Sequence, residues 1–351
     1  MRASLPEVTV GLDLGDKYSW MCVVDQDAST IEEARIATTP EAVRRRFSEM
    51  APARVALETG TASRWVEQVL KACGHEAIVA NAQEVSKLCR RGSKTDRMDA
   101  EQLARLARAD PKLLRPIQHR SEQTQVDLAV LRARDVLVAA RTRLVNHVRG
   151  TLKSFGIRAK RCSTSSFQRQ VLESIPKSLE PALRPVLEEL ESLRERIAQY
   201  DKQIRQLCKE SYGETALVQQ VTGVGPLTAL AFVLTLEDPR RFKRSRSVGA
   251  YLGLRPKKRQ SGDQDPELGI TKCGDRFLRR LLVQSAQYVL GPFGADSDLR
   301  RWGLELAGRG GKNAKKRAVV ARKLATLLHR LWIAGEVYEP LRTPTRTRRA
   351  S

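Results

Sequence analysis

The sequence predicts a mixed α/β domain at the start of the chain, followed by regions that are almost entirely α-helical. Two patterns indicate this class. Short apolar strands alternate with helical segments over the first hundred-odd residues, whereas apolar residues recur at helical spacing over most of the remainder.

The α/β domain is predicted to span residues 1–118. Its expected elements, in order, are strands at 8–13, 20–25 and 31–38, a helix at 40–50, a strand at 54–58, a helix at 63–73, a strand at 75–81 and a helix at 94–109. Three consecutive strands followed by alternating helices and strands indicate a meander that continues into crossover connections. The first strand should then be central, with the fourth strand beside it.

A helical segment is predicted over residues 119–213, because its apolar residues follow two seven-residue patterns. The first series is Leu131, Val138, Val145 and Leu152, and the second is Val186, Leu190, Leu193, Ile197, Tyr200, Ile204 and Leu207. The narrow second stripe is typical of a coiled-coil seam, which either an oligomer or a hairpin within the chain could close. For the first series, a helix packed inside a globular domain is nearly as good an interpretation.

The remaining residues, 214–351, are predicted to form a mostly helical C-terminal domain. The stretch VTGVGPLTA places Gly223 and Gly225 just before an apolar helix, a pattern typical of a helix-hairpin-helix turn. Exposed N–H groups at such a turn bind phosphate oxygens without reading base sequence, although a glycine-rich turn can also be only a connection.

Composition limits the partners. The 351 residues carry 63 Lys and Arg against 40 Asp and Glu, a net charge of +23, which attracts polyanions such as DNA and RNA. A membrane is disfavoured, because no apolar run approaches the roughly 20 residues of a spanning helix and no secretion signal is visible. The six scattered cysteines form no CxxC pair, which argues against a zinc site and favours reduced, cytoplasmic thiols.

Four acids are candidate metal ligands. Asp13 and Glu58 end the first and fourth predicted strands, and Asp96 and Asp99 share one face at the start of the last helix of the domain. Four clustered carboxylates would repel one another unless a cation lay among them, and their oxygens suit Mg²⁺ or Mn²⁺. Taken alone, the helical pair is explained better by the helix dipole than by a metal, since the dipole stabilises such acids by about 0.3–1 kcal/mol each.

A serine and four cations follow the glycine turn. The cations Arg255, Lys257, Lys258 and Arg259 are candidate phosphate contacts, although such a run can also be a solvated face. Ser261 lies before a glycine in the loop RQSGD, with no histidine nearby in sequence to activate it as a nucleophile. On composition alone, Ser261 is more simply a turn residue.

Five stretches in order, VGLDLGDKYSWMCVVD, ALETGTA, KTDRMDA, VTGVGPLTA and YLGLRPKKRQSGD, resemble the DEDD-type insertion-sequence transposases. These are bridge-RNA-guided DNA recombinases with an RNase H/RuvC-like N-terminal domain and a C-terminal serine-bearing transposase domain. The resemblance covers nearly the whole chain, and the KT-D-x-x-D-A stretch after the strand that ends in glutamate is specific.

The resemblance implies roles for five residues. The family's acids fall on Asp13, Glu58, Asp96 and Asp99, which would hold Mg²⁺ or Mn²⁺. Its nucleophilic serine falls on Ser261, in preference to the nearby Ser245 and Ser247, and would form a phosphoserine link to DNA. The implied partners are donor and target DNA, a noncoding bridge RNA held by the helical segment, and further copies of the chain in a dimer or tetramer. A bacterial cytoplasm, at the nucleoid, is the expected location.

Three other functions fit part of the sequence. A Holliday-junction nuclease would use the same acids with water as the nucleophile, but it leaves the serine-bearing domain unexplained. An actin-like ATPase would need further phosphate and adenosine loops, which the sequence does not show convincingly. A non-enzymatic nucleic-acid scaffold would use the charge and the coiled coil and would not need the acids.

Overall fold

A computed structural model describes residues 7–82, 85, 95–160, 162–164, 166–259, 268–308 and 313–342. The chain divides into two compact units, Met1–His119 and Arg120–Ser351. The predicted α/β plus all-α class is confirmed: the first unit holds a mixed five-stranded sheet, and the described part of the second contains helices and a single isolated β-bridge. The finer division into segments 119–213 and 214–351 stays a prediction.

The sheet of the first unit has the order β3-β2-β1-β4-β5. Its strands are β1 (Thr9–Asp13), β2 (Tyr18–Val24), β3 (Thr30–Ala37), β4 (Arg54–Glu58) and β5 (Glu76–Ala80). The first three strands pair antiparallel, whereas β4 pairs parallel to both β1 and β5. The predicted central position of β1, with β4 beside it, is therefore confirmed.

One face of the sheet carries the larger hydrophobic core. Helices α1 (Pro40–Ser48) and α2 (Ser63–Ala72) pack there. The buried side chains of this cluster include Val10, Leu12, Val55, Leu57, Val43, Phe47, Val66 and Leu70. Branched and aromatic side chains of this size supply most of the apolar area that the domain removes from water.

On the opposite face, small residues let helix α3 (Asp96–Ala109) lie almost directly on β1. A Cβ atom added to Gly11 would lie 1.9 Å from the carbonyl oxygen of Ala100 and 2.5 Å from the amide nitrogen of Ala104. Alternation along β1 turns Gly11 away from the larger core, so α3 covers the second face.

The two long helices of the second unit pack against each other. They are α4 (Glu122–Ser154) and α6 (Glu180–Glu210), with the short α5 (Phe167–Leu172) between them in sequence. Val145, Leu152, Leu187 and Leu190 share one buried cluster, so at least part of both heptad series is buried within one chain. This intramolecular packing explains the seam without an oligomer.

The remaining helices surround one apolar helix. They are α7 (Thr215–Gln219), α8 (Pro226–Leu236), α9 (Arg246–Tyr251), α10 (Arg276–Leu290), α11 (Asp298–Gly308) and α12 (Asn313–Ala334). Every residue of α8 from Thr228 to Leu236 is buried, as expected of a helix that is apolar all round. None of the helices in the described ranges combines the length and the apolar character needed to span a membrane.

The contact at Gly11 generates a stability prediction. Gly11→Ala should lower the free energy of unfolding by about 1–3 kcal/mol, because the added methyl group must push the backbone of α3 off the strand. Urea denaturation followed by circular dichroism measures the change. Gly150→Ala on α4 is the matched control: its added Cβ meets no atom within 4 Å, and helix propensity favours alanine. Equal destabilisation by both substitutions would contradict the close packing.

Candidate functional site

Asp13 and Glu58 lie side by side at one edge of the sheet. The parallel register pairs Leu12 with Leu57, so the next residue of each strand is one of the two acids. Both are half-buried. Because alternate residues share a face, Asp13 is on the face of Gly11 and Glu58 is on the face of Ala56, which is the face covered by α3.

Helix α3 runs so that its first turn approaches the same edge. Ala100 lies over Gly11 in the middle of β1, whereas the carbonyl oxygen of Ala107 accepts a hydrogen bond from Arg54 Nη1 (3.4 Å), at the start of β4. The helix is therefore antiparallel to β1 and β4, and its N-terminus points toward their carboxyl ends, where Asp13 and Glu58 lie.

The helical acids extend the sheet-facing side of α3 by one turn. Asp96 lies one helical turn before Ala100, and Asp99 lies one turn before Leu103. Ala100 and Leu103 are both buried. Asp96 is exposed and Asp99 is half-buried. The fold thus brings Asp13, Glu58 and Asp99 to one edge and one face of the sheet, with Asp96 at the solvent-facing start of the helix.

Two interactions hold the first turn of α3 in place. Thr95 caps the helix, because its Oγ1 accepts a hydrogen bond from the Met98 N–H (3.3 Å). Arg97 Nε donates to Glu33 Oε1 on β3 (2.7 Å), and this hydrogen bond raises the pKa of Arg97 above its ordinary value. Because Glu33 belongs to the outer strand of the meander, the pair fastens the acid-bearing turn to the sheet.

The donor chemistry at this edge fits a hard divalent cation. All four predicted ligands are carboxylates, the group that Mg²⁺ and Mn²⁺ bind in proteins. Among the described residues, no three His, Cys, Asp or Glu side chains form a cluster able to hold a metal ion. Asp13, Glu58 and Asp99 each already interact with another group. Asp13, Glu58 and Asp99 therefore share one edge of the sheet but do not form a complete set of metal ligands.

The predicted helix-hairpin-helix turn joins α7 to α8. Gly223 has a φ of +91°, and an added Cβ would lie 3.1 Å from Tyr288 Cδ1 and 3.2 Å from the Ser285 carbonyl oxygen, so glycine is required there. Gly225 is the exposed N-cap of α8, with no atom within 4 Å of an added Cβ. The second glycine thus leaves open space beside the start of the helix.

A short backbone ladder leads into the serine loop. The Lys257 N–H donates to the Gly269 carbonyl (2.8 Å), and the Thr271 N–H donates to the Arg255 carbonyl (2.8 Å). Ser261 belongs to residues 260–267, which lie outside the described residues. Four residues that precede this segment are predicted to contact phosphate, and all four are exposed: Arg255, Lys257, Lys258 and Arg259.

A second basic run lies on the same unit and is anchored by an aromatic side chain. Phe242 packs edge-on against Tyr251 and His329, with ring centroids 5.3 and 5.6 Å away. Its neighbours Arg240, Arg241, Lys243, Arg244 and Arg246 are exposed. Anchoring of the run at Phe242 leaves these cations facing solvent, where they can contact phosphate groups.

Sequence reasoning missed Arg279, a buried residue of α10. Its Nη1 donates to the carbonyl oxygens of Leu252 (3.0 Å) and Cys273 (2.9 Å), which flank the ladder on its two sides. Burial lowers the pKa of this guanidinium from its ordinary value. In a chain so rich in arginine, one arginine on an amphipathic helix gives no signal that it points inward.

The position of Arg279 predicts that it stabilises the base of the serine loop. Arg279→Met should lower the free energy of unfolding by about 1–3 kcal/mol, because it leaves two covered carbonyl groups without their donor. Urea denaturation measures the effect. Arg276→Met, an exposed position on the same helix, should change stability by less than about 0.5 kcal/mol. Equal effects of the two substitutions would show that the buried contacts are unimportant.

Two transposase family profiles match the chain. The transposase profile DEDD_Tnp_IS110 matches residues 10–157, which include Asp13, Glu58, Asp96 and Asp99. The profile described as transposase IS116/IS110/IS902 family matches residues 215–296, which include the glycine turn and Ser261.

Whole transposases are similar to the chain along most of its length. A probable family 20 transposase of Pseudomonas aeruginosa is 31% identical over 341 residues, 94% of this chain and 98% of the relative. The transposase for insertion sequence element IS1111A of Coxiella burnetii is 29% identical over 347 residues, 96% and 93% of the two chains. That of IS1328 from Yersinia enterocolitica is 27% identical over 296 residues, 82% and 85%. The chain therefore belongs to the IS110/IS116/IS902 family of insertion-sequence transposases.

Proposed function

We propose that this transposase cuts and rejoins DNA in a metal-dependent reaction with Ser261 as the nucleophile and a bridge RNA as the guide. By family membership, the chain is an insertion-sequence transposase. Enzymes of this class cleave DNA and transfer its strands. The observation that supports the finer proposal is the placement of Asp13, Glu58 and Asp99 on one face of the sheet at one edge.

The acids would hold the catalytic cation. Asp13 and Glu58 come from adjacent strand ends, and Asp99 comes from the first turn of the helix that crosses them, with Asp96 at the solvent-facing start of that helix. When bound, Mg²⁺ or Mn²⁺ neutralises charge on a phosphate and lowers the pKa of a nearby hydroxyl group. The carboxylates bind the cation when they are ionised, and the cation would relieve their mutual repulsion.

Ser261 would make and break the covalent bonds. Its Oγ forms a bond to phosphorus, the bond from phosphorus to one deoxyribose oxygen breaks, and that oxygen takes up the proton that serine loses. The phosphoserine link retains the energy of the phosphodiester. A hydroxyl group of the second DNA partner then attacks the phosphorus and forms a new phosphodiester. The bond from phosphorus to Ser261 Oγ breaks, and that oxygen takes up the proton that the attacking hydroxyl loses.

Exposed positive charge would hold the nucleic acids. The backbone at Gly223 and Gly225 and the side chains of Arg255, Lys257, Lys258 and Arg259 suit phosphate groups, whose recognition fixes position rather than sequence. The net charge of +23 supports polyanion binding in general. A bridge RNA that pairs with DNA would then supply the sequence specificity.

The RNA and the oligomer rest on the family resemblance. The long helices α4 and α6 are proposed to hold the guide RNA, and two or four copies of the chain are proposed to bring donor and target DNA together. Because α4 and α6 pack on each other within one chain, the heptad pattern adds no separate support for the oligomer.

Removing single carboxylates tests the metal role. Asp13→Asn, Glu58→Gln and Asp99→Asn should each reduce DNA cleavage by roughly 100-fold or more, because each removes a charged ligand. The rate is measured on labelled DNA with the bridge RNA present and Mg²⁺ varied. Asp27→Asn, an exposed turn position between β2 and β3, should cleave at the wild-type rate. Full cleavage by all three variants would contradict the proposed metal role of these carboxylates.

Replacing the serine separates a recombinase from a nuclease. Ser261→Ala should abolish both strand joining and the covalent protein–DNA species, because no other hydroxyl takes its place. Denaturing electrophoresis of the protein with labelled DNA detects the adduct. Ser247→Ala, at an exposed serine of α9, should form the adduct normally. Continued cleavage by Ser261→Ala would instead indicate a water-dependent nuclease of the Holliday-junction class.

A further inference from the structure

We propose that Ser63 and His119 are positioning residues for Glu58, fixing the turn that follows it so that its carboxylate is held toward the cation. The inference rests on the proposed role of Glu58 as a metal ligand. It concerns two side chains that are 56 residues apart in sequence and that lie outside the ligand set itself.

Ser63 closes the turn after Glu58. It is fully buried at the start of α2. Its Oγ donates to the Gly60 carbonyl oxygen (2.8 Å) and accepts from the Gly60 N–H (3.1 Å). One side chain therefore hydrogen-bonds to both backbone polar groups of Gly60. This hydroxyl has a structural role as a clamp on the turn, because it is buried and donates its proton to a backbone carbonyl, which is too weak a base to activate it.

His119 completes the clamp. Its Nε2 lies 3.1 Å from Ser63 Oγ. Because the Ser63 proton goes to Gly60, Ser63 Oγ can only accept here, and His119 Nε2 must therefore carry a proton and donate it. The same nitrogen is 3.9 Å from Glu67 Oε2, one helical turn after Ser63. Because Nε2 carries a proton in this arrangement, it is not available to bind a cation.

The clamp acts directly on the residues after Glu58. Only Thr59 separates Glu58 from Gly60. The Thr59 N–H donates to the Ala80 carbonyl (3.0 Å), and Thr59 Oγ1 accepts from the Ala82 N–H (3.3 Å). With Gly60 held by the serine, both residues that follow the acid are fixed, which constrains the backbone from which the Glu58 carboxylate extends. Outer contacts of this kind set ligand orientation, and their loss costs metal affinity.

Mn²⁺ binding to the full-length chain tests the proposal without relying on DNA cleavage. Titration followed by electron paramagnetic resonance gives the dissociation constant. His119→Leu and Ser63→Ala should each weaken Mn²⁺ binding by about tenfold. The double variant should be little weaker than either single variant, because both changes release the same turn. His119→Gln, whose amide keeps an N–H donor, should recover most of the lost affinity.

Controls separate positioning from general loss of structure. His147→Leu and Ser154→Ala replace the same residue types at exposed positions of α4 and should bind Mn²⁺ like the wild type. The thermal unfolding temperature is recorded for every variant. Recovery in His119→Gln keeps the test valid if Ser63→Ala does not fold.

Glu58→Gln, titrated in parallel, distinguishes two kinds of failure. If Glu58→Gln binds Mn²⁺ weakly but a folded His119→Leu has wild-type affinity, the positioning role is overturned and the metal role of Glu58 stands. If Glu58→Gln itself binds Mn²⁺ like the wild type, the proposed metal role of Glu58 is overturned, and the inference fails with it. Weak binding by both, with recovery in His119→Gln, is the expected result.

Discussion

The close contact between α3 and the central strand is the constraint on which the candidate site depends. Gly11 has no side chain, so the backbone of α3 at Ala100 can rest on β1. This contact sets how closely the helix approaches the sheet and constrains the direction of its axis. The direction matters most, because an antiparallel α3 carries Asp99 back toward the strand ends that hold Asp13 and Glu58. A larger residue at Gly11 would separate acids that lie far apart in sequence.

The two faces of the sheet have different roles: one contributes mainly to stability, and the other carries the candidate site. One face buries large side chains such as Phe47 and Leu57 under α1 and α2, and this burial supplies most of the hydrophobic stabilisation. The other face uses glycine and alanine, which contribute less buried area but allow a close approach. Clamps formed by polar side chains, such as Arg97 with Glu33, then hold the acid-bearing turn without filling the space beside it.

Much of the first unit could be predicted from the sequence, because the apolar residues of strands and helices recur with periods that are visible within short stretches. The positions of Asp13 and Glu58 followed from the predicted strand order, which the sheet confirms. The heptad seam could not be assigned to an oligomer or a hairpin, since the same side chains serve both. Arg279 and the pair Ser63–His119 were invisible for another reason: single hydrogen bonds between distant residues have no periodicity. The functional assignments of the acids and Ser261 stay predictions.

The central claim is that carboxylates from separate segments share one cation, and anomalous diffraction from crystals of the full-length chain grown with Mn²⁺ tests it most directly. The account predicts an anomalous peak at the carboxyl ends of β1 and β4, with oxygens of Asp13, Glu58 and Asp99 within roughly 2.2 Å of the ion. A fully occupied Mn²⁺ site elsewhere, with no density at that edge and the three carboxylates turned apart, would contradict it.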